Sequence, residues 1–424
     1  MSLQFITGNS GNGKTKYLFN RIVKEAKANP RDNYLVIVPE QFTMQTQRQL
    51  VDLSENKAIM NIDVLSFKRL AYRVFDELGI TNLTVLEETG KNLVLRKLAA
   101  QEADKLGVIG RNLNRIGYIS EVKSLLSELV QYNISPEELG RYIASGRLSD
   151  TLSDKLKDVL VLYEAFEKFM QDKYITAEEI LNVLSNVAEE SAILRNSVIA
   201  FDEFTGFTPI QNQLIKKLFV ISKKIYVTLT IDCREDIFKS RGMQELFDMP
   251  KRTVKSLTEM AAFYGIEVEE PIILDKNYRL AENEELSFME QQFFRKRRCS
   301  FKKVPKHIHI DCLRDPKQEL TKIARRINEL VRNENLRYRD IAIVTGDVNI
   351  YAGYVREIFD KYNIPYFIDA TQEILFHPFI EFIRSIPDIA AQNFSADAVF
   401  RFLRCGFSEL LDSEIDVLEN YVLA

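Results

Sequence analysis

Residues 8–15 read Gly-Asn-Ser-Gly-Asn-Gly-Lys-Thr and decide the fold of this chain. The stretch satisfies the pattern GxxxxGK[ST], and it stands between a short apolar segment, residues 3–7, and a helical pattern that begins at Lys16. Glycines allow backbone conformations in which successive N–H groups face a phosphate, and the positive end of the following helix adds to the attraction. The stretch therefore predicts a P-loop within an α/β domain. We expect its residues to bind ATP: Gly8, Asn9, Ser10, Gly11, Asn12, Gly13, Lys14 and Thr15.

The chemistry of a P-loop assigns roles to individual side chains. Lys14 is expected to reach the β- and γ-phosphates, and the Thr15 hydroxyl to ligate Mg²⁺. An apolar segment ends at Asp202 and Glu203; Asp202 is predicted to contact the metal through water, and Glu203 to orient and deprotonate the attacking water. Arg279 is predicted to sense the γ-phosphate. Lys14, Glu203 and Arg279 are thus the candidate catalytic residues, although an acidic pair after a strand and a surface arginine also occur without any such role.

Composition excludes several classes of protein. The chain has 424 residues, of which 46% are hydrophobic and 28% charged, and it contains no apolar run of membrane-spanning length. It has no N-terminal signal pattern, so we expect a cytoplasmic protein. A net charge of −4 gives no overall electrostatic attraction to DNA. The scattered cysteines indicate a reducing compartment and argue against a zinc or iron–sulfur site within these residues: Cys233, Cys299, Cys312 and Cys405.

The order of helical and strand-like patterns predicts several regions. Apolar β-branched runs alternate with helices at both ends of the first domain, whereas the block between them is predicted to be helical, with no strand from residue 87 to about 188. A second α/β unit is predicted to contain strands at 307–313, 340–345 and 365–368. The final helical pattern reaches Ala424 without a capping signal, which indicates a truncated chain. The predicted boundaries are a first domain at 1–84 and 191–294, a helical insertion at 85–190, a basic linker at 295–306, a second domain at 307–375 and a helical region at 376–424.

Three features together resemble the superfamily 1 helicases of the UvrD kind: the P-loop, the Asp-Glu pair after a large helical insertion, and Asn277-Tyr-Arg279. The resemblance implies RecA-like P-loop NTPase domains, the first with a helical insertion and the second incomplete. Further segments look like the AddB (RexB) subunit of bacterial AddAB helicase-nucleases over essentially the whole chain: VPEQFT (38–43), VLSFKRL (64–70), FDEFTGFTP (201–209), YRDIAI (338–343), IPYFID (364–369) and His377-Pro378.

Membership of that family implies a DNA-processing subunit that forms a heterodimer with AddA and resects double-strand breaks until a Chi sequence is recognised. Family members are much longer and carry a nuclease domain and a [4Fe–4S] cluster toward the C-terminus, which we expect only in the full-length protein. Related helicases contact single-stranded DNA through loops after the early strands. The corresponding residues offer polar groups for phosphates and aromatic faces for bases, unless the two phenylalanines are core residues: Gln41, Phe42, Thr43, Ser66 and Phe67.

This sequence also departs from an active motor. Only seven residues precede Gly8, so a glutamine-containing adenine motif cannot fit upstream, and the segment 230–234 lacks the Gly-Asp-x-x-Gln that couples nucleotide to DNA. We therefore expect nucleotide binding rather than directed translocation. Two other hypotheses remain open: a free-standing P-loop NTPase or small-molecule kinase, and a non-hydrolysing scaffold for a partner helicase subunit.

Overall fold

The computed structural model describes residues 1–81, 84–108, 116–145, 148–170, 174–293, 299–370 and 374–423. The chain divides into two compact units, Met1–His307 and Ile308–Ala424. Within the described residues, no helix has both the length and the apolar character needed to cross a membrane.

A parallel sheet forms the centre of the first unit. Its strand order is β3-β2-β6-β7-β1, with β8 and β9 both beside β1, and every one of these pairs is parallel. The five longer strands lie where the sequence predicts them, whereas the sequence does not predict the short β8 and β9. The described strands are β1 (Ser2–Gly8), β2 (Tyr34–Ile37), β3 (Ile62–Leu65), β4 (Val85–Leu86), β5 (Ile175–Thr176), β6 (Val198–Phe201), β7 (Lys224–Thr230), β8 (Glu267–Val268) and β9 (Ile272–Leu274).

Sixteen α-helices are described, eleven of them in the first unit. They are α1 (Lys14–Ala28), α2 (Thr43–Leu53), α3 (Phe67–Leu78), α4 (Glu88–Gln101), α5 (Ile116–Gln131), α6 (Pro136–Ala144), α7 (Asp150–Met170), α8 (Ile180–Val187), α9 (Pro209–Ile221), α10 (Asp248–Phe263), α11 (Glu284–Gln292), α12 (Pro316–Asn333), α13 (Val348–Lys361), α14 (Pro378–Ala391), α15 (Ala396–Leu403) and α16 (Asp412–Leu423).

Helices cover both faces of the sheet, so its central strands are buried on both sides, as is usual for parallel sheets. Phe5, Ile199 and Val227 point to the face packed by α3, α8, α9 and α10. The alternate residues Ile6 and Tyr226 point to the opposite face, which α1 and α2 cover. This three-layer arrangement confirms the predicted α/β class and leaves the carboxyl ends of the strands at one open edge.

The helical block inserted between β3 and β6 has its own core, formed by α4, α5, α6 and α7. The prediction that no strand lies between residues 87 and 188 is wrong, because β5 lies in this range and pairs in parallel with β4, where the chain leaves and enters the block. Close to this strand pair, the Nζ atom of buried Lys91 forms salt bridges with carboxylate oxygens of Glu178, at 2.7 Å, and Glu88, at 2.9 Å. Helix α8, which the predicted boundaries include in the block, instead packs on the sheet.

In the second unit, α12 and α13 confirm the predicted helices, but the predicted strands at 307–313, 340–345 and 365–368 are wrong for the described residues. These segments take no part in any strand pairing there. Their apolar pattern is that of buried strands, yet pairing needs a neighbouring strand as well as a pattern. Residues 295–298 of the predicted basic linker lie outside the described residues. The last residue of the chain, Ala424, also lies outside them.

Candidate nucleotide-binding site

The P-loop lies at the carboxyl end of β1, at the edge of the sheet where β6 and β7 also end. In parallel α/β sheets this edge is where ligands bind. A cavity of about 790 Å³ opens there. It is lined by Ser10, Lys14 and Thr15 from the loop, and by Asp202 and Arg279 from elsewhere in the first unit. The fold thus brings the predicted phosphate, metal and sensor residues into one cavity.

Glycines give the loop its shape. Gly11 and Gly13 have φ of +89° and +79°, which side-chain-bearing residues rarely adopt. Gly13 precedes α1 without any side-chain cap, and the first turn of α1 contains no acidic residue. The N–H groups at this helix end therefore remain available to an anion.

Lys14 bends back over the loop. Its Nζ donates hydrogen bonds to the carbonyl oxygens of Gly8 and Asn9, both at 3.0 Å. Burial lowers the pKa of the Lys14 amine, and the carboxylates of Asp202 and Glu203 act in the opposite direction. A cation held by main-chain oxygens at this place can exchange them for phosphate oxygens.

Asp202 follows β6 and is only 1% exposed. Its Oδ1 accepts hydrogen bonds from Thr15, at 3.3 Å, and from Thr228 on β7. Within the described residues, its Oδ2 is buried without a hydrogen-bond partner. Burial raises the pKa of this carboxyl, an effect that the hydrogen bond from Thr228 opposes and the charge of Glu203 increases. A buried carboxylate oxygen lacking a donor, beside the Thr15 hydroxyl, suits a hard cation such as Mg²⁺, which prefers oxygen ligands.

Glu203 has a φ of +64°, in the left-handed region that is unusual for a residue other than glycine or asparagine. The turn leaves its side chain exposed at the mouth of the cavity, where Oε1 accepts a hydrogen bond from Thr15 at 3.4 Å. Such local strain costs about 1–3 kcal/mol and is concentrated at functional sites. The two acidic residues therefore flank Thr15, with Asp202 inside and Glu203 outside.

The segment 277–279 lies directly on the P-loop. The Asn277 side chain donates to the carbonyl of Ser10 at 3.0 Å, and the Tyr278 N–H donates to that of Gly11 at 3.0 Å. The Arg279 guanidinium lies 3.5 Å from the Ser10 hydroxyl. A Cβ atom on Gly11 would come within 2.7 Å of the Asn277 side chain, so the close contact requires glycine.

Three side chains support this site from within: two belong to predicted ATP contacts, and the third, Thr228, has no predicted role. The predicted ATP contacts Asn9 and Asn12 face inward: Asn9 accepts from the Cys233 N–H at 3.1 Å, and Asn12 donates to the Leu274 carbonyl at 2.6 Å. Their side chains thus hold the loop, and the predicted contact of the loop's main chain with ATP stays a prediction. The role of Thr228 is not predicted, although a hydroxyl near the carboxyl end of a strand beside β6 was a usable signal.

The predicted DNA contacts lie at the carboxyl ends of β2 and β3, and most of them are inaccessible. Phe67 is 7% exposed and packs with Phe201, Phe204 and Phe207, so its ring offers no free face to a base. Of the other four predicted DNA contacts, two are buried and two are at least partly accessible. Thr43 and Ser66 are buried and hydrogen-bonded to Glu40, whereas Gln41 is exposed and Phe42 is partly exposed.

Comparison with known proteins places this chain in a family. A family model described as "ADDB, N-terminal" matches residues 5–290. Proteins named as the B subunit of an ATP-dependent helicase/deoxyribonuclease match all of this chain, with 39% identity in Lachnoclostridium phytofermentans, 35% in Caldanaerobacter subterraneus and 34% in Clostridium tetani. The chain spans 36–37% of the length of these relatives. These matches confirm the resemblance drawn from the sequence motifs, and the chain belongs to the AddB N-terminal family.

Proposed function

We propose that this chain is the nucleotide- and DNA-binding N-terminal part of the B subunit of an ATP-dependent helicase/deoxyribonuclease that acts in the repair of double-strand breaks. The names of its relatives support this role, as does a P-loop at the carboxyl edge of a parallel sheet. We also propose that the sheet is a RecA-like domain of UvrD type, and that an AddA-type subunit is its partner on DNA.

One observation supports the nucleotide site: the P-loop faces a buried carboxylate, Asp202, whose Oδ2 has no hydrogen-bond partner among the residues that the structure describes. Lys14 and the N–H groups of the loop would hold the triphosphate, and Thr15 with Asp202 would hold Mg²⁺. The bound ion would supply positive charge to the phosphate oxygens. Glu203 is exposed at the cavity mouth, where its Oε1 can accept a proton from an attacking water, and Arg279 beside Ser10 can contact the γ-phosphate.

Titration calorimetry with ATP and Mg²⁺ tests this site. Lys14→Ala should weaken binding by roughly 10- to 100-fold, because a charge-assisted hydrogen bond contributes about 1.5–3 kcal/mol. Lys24→Ala is the matched control, since Lys24 is an exposed lysine later in α1. Equal ATP affinity in the wild type and Lys14→Ala would favour the scaffold hypothesis.

Filter binding to single-stranded DNA tests the second part of the proposal. Gln41 is the most accessible of the predicted contacts, so Gln41→Ala should weaken binding about fivefold, whereas the exposed Gln47 on α2 serves as a control. Affinity should fall with rising salt, as it does for phosphate contacts. A small-molecule kinase would bind ATP but no DNA, so ATP binding without DNA binding would contradict this part.

A further inference from the structure

Strand β7 lies between the strand that leads into the P-loop and the strand that leads to Asp202. It pairs with β1 on one side and with β6 on the other, and both pairs are parallel. Because parallel strands end at the same edge, the carboxyl end of β7 stands between the predicted phosphate-binding and metal-binding residues. A side chain that this strand end presents to the cavity can therefore contact a ligand that is held by both groups.

Two threonines at this end of β7 face the nucleotide cavity. Side chains alternate along a strand, so Tyr226, Thr228 and Thr230 point to the same face of the sheet. Tyr226 belongs to the core on the face that α1 and α2 cover, which is the face above which the P-loop enters α1. Thr228 and Thr230 both line the cavity, and Thr230 is the last residue of β7. Its Cα lies about 6.6 Å beyond that of Thr228 along the strand.

The two hydroxyls differ in their contacts. Thr228 is buried, and its hydroxyl donates a hydrogen bond to Oδ1 of Asp202. Thr230 is only partly buried, and among the residues that the structure describes its hydroxyl makes no hydrogen bond. A hydroxyl has a single proton to donate. The proton of Thr228 is thus already used by the carboxylate, whereas that of Thr230 remains available to a ligand.

The register of the sheet places Thr230 beside the P-loop lysine. Thr230 is paired with Gly8 on β1, and the backbones of paired strands lie about 4.8 Å apart. The Gly8 carbonyl oxygen accepts a hydrogen bond from Lys14 Nζ at 3.0 Å. A phosphate oxygen that takes the place of this carbonyl on Lys14 would therefore lie next to the Thr230 side chain.

We propose that the Thr230 hydroxyl donates a hydrogen bond to the γ-phosphate, so that this site binds a nucleoside triphosphate more tightly than a diphosphate. The inference rests on the proposed nucleotide site and adds a residue that senses the terminal phosphate. The N–H groups of the loop and of the start of α1 hold the inner phosphates. Thr230 stands across from them, on the side of Asp202, where the terminal phosphate meets the proposed metal ligands.

Titration calorimetry with Mg²⁺-ATP and with Mg²⁺-ADP tests the proposal. Thr230→Val keeps the β-branched shape that suits a strand but removes the donor. Its affinity for ATP should fall about tenfold, whereas its affinity for ADP should change by less than about twofold. Thr230→Ser retains the hydroxyl and should bind ATP within about threefold of the wild type. Thr151→Val, at an exposed position on α7, is the matched control and should change neither affinity.

The ratio of the ATP and ADP affinities separates sensing from a structural role. An equal loss of affinity for both nucleotides in Thr230→Val, or no loss for ATP, would overturn the proposal. Thr228→Val should weaken both nucleotides alike, because Thr228 acts through the proposed metal ligand Asp202; a loss confined to ATP in this variant alone would assign the sensing to Thr228 instead. If Lys14→Ala binds both nucleotides as tightly as the wild type, the nucleotide site itself is wrong, and the role of Thr230 is wrong with it.

Discussion

Replacing Asp202 by asparagine is expected to stabilise the protein in the absence of nucleotide. The carboxylate is buried, and in the described part of the chain its Oδ2 has no hydrogen-bond partner. An unpaired buried polar group costs about 1–3 kcal/mol, and more when it is charged. The amide keeps an acceptor for Thr15 and Thr228 but removes the charge, so we expect a net gain of about 1 kcal/mol, or an increase in Tm of about 1–2 °C.

The size of this gain should depend on pH. Burial raises the pKa of Asp202 above its ordinary value of 3.8. A group whose pKa is raised by folding favours the folded state below its unfolded pKa, and this contribution is lost as the pH rises through the folded pKa. The advantage of Asp202→Asn in Tm should therefore be absent below about pH 3.8 and should grow as the pH rises through the raised pKa of the folded state.

Differential scanning fluorimetry measures the Tm of the wild type and of Asp202→Asn with and without ATP and Mg²⁺. At 100 times its Kd, a ligand stabilises the wild type by about 2.7 kcal/mol, whereas the variant should gain little because it has lost the proposed metal ligand. The order of the two Tm values should thus reverse when nucleotide is added. Asp76→Asn, at an exposed position on α3, should change neither value by more than about 0.5 kcal/mol. A lower Tm of Asp202→Asn without nucleotide would refute the reasoning.

Thr228→Val should weaken Mg²⁺-ATP binding about tenfold in calorimetry, because it removes a hydroxyl that donates to the buried carboxylate, whereas Thr228→Ser should retain affinity; equal affinities would exclude a positioning role. Gly11→Ala should lower the free energy of unfolding in urea by about 1–3 kcal/mol, since its φ is +89° and a Cβ would collide with segment 277–279; an unchanged midpoint would contradict that contact. Lys91→Ala should cost about 3–5 kcal/mol in the same assay because it leaves Glu178 buried without its cation; a cost below about 1 kcal/mol would show that the pair does not stabilise the fold.

The nucleotide site is the part of the structure that the sequence predicts best. A P-loop is a local pattern: residues 8–15 specify the turn, and the flanking strand and helix follow from periodicity. Asp202 and Glu203 are distant from the loop in sequence, but they lie at the end of a strand, and parallel strands bring their carboxyl ends to one edge. The contact between the P-loop and segment 277–279 depends on tertiary packing, and a weak Asn-Tyr-Arg pattern was its only sign.

Other features were missed for different reasons. Phe67 follows a strand just as an exposed loop residue would, but it also begins the apolar stripe that continues through Leu70, Val74 and Phe75 on α3, and this spacing was a usable sign that it belongs to the core. The pair β4–β5 contains two residues per strand, separated by almost ninety residues, so no periodicity reveals it. In the second unit, the apolar pattern of 340–345 predicts a strand, but this segment pairs with no other strand of the described residues, and pairing cannot be deduced from a local pattern.

The pairing of Val85–Leu86 with Ile175–Thr176 has a consequence for evolution and engineering. Because paired strands lie about 4.8 Å apart, the helical block departs from the sheet layer and rejoins it at nearly the same point. Helices α4–α7 can therefore lengthen, shrink or be exchanged between homologues without moving β3 or β6. A short glycine-rich linker could connect Leu86 to Thr176 in place of the helical block. The same two positions are therefore suitable for inserting a foreign domain.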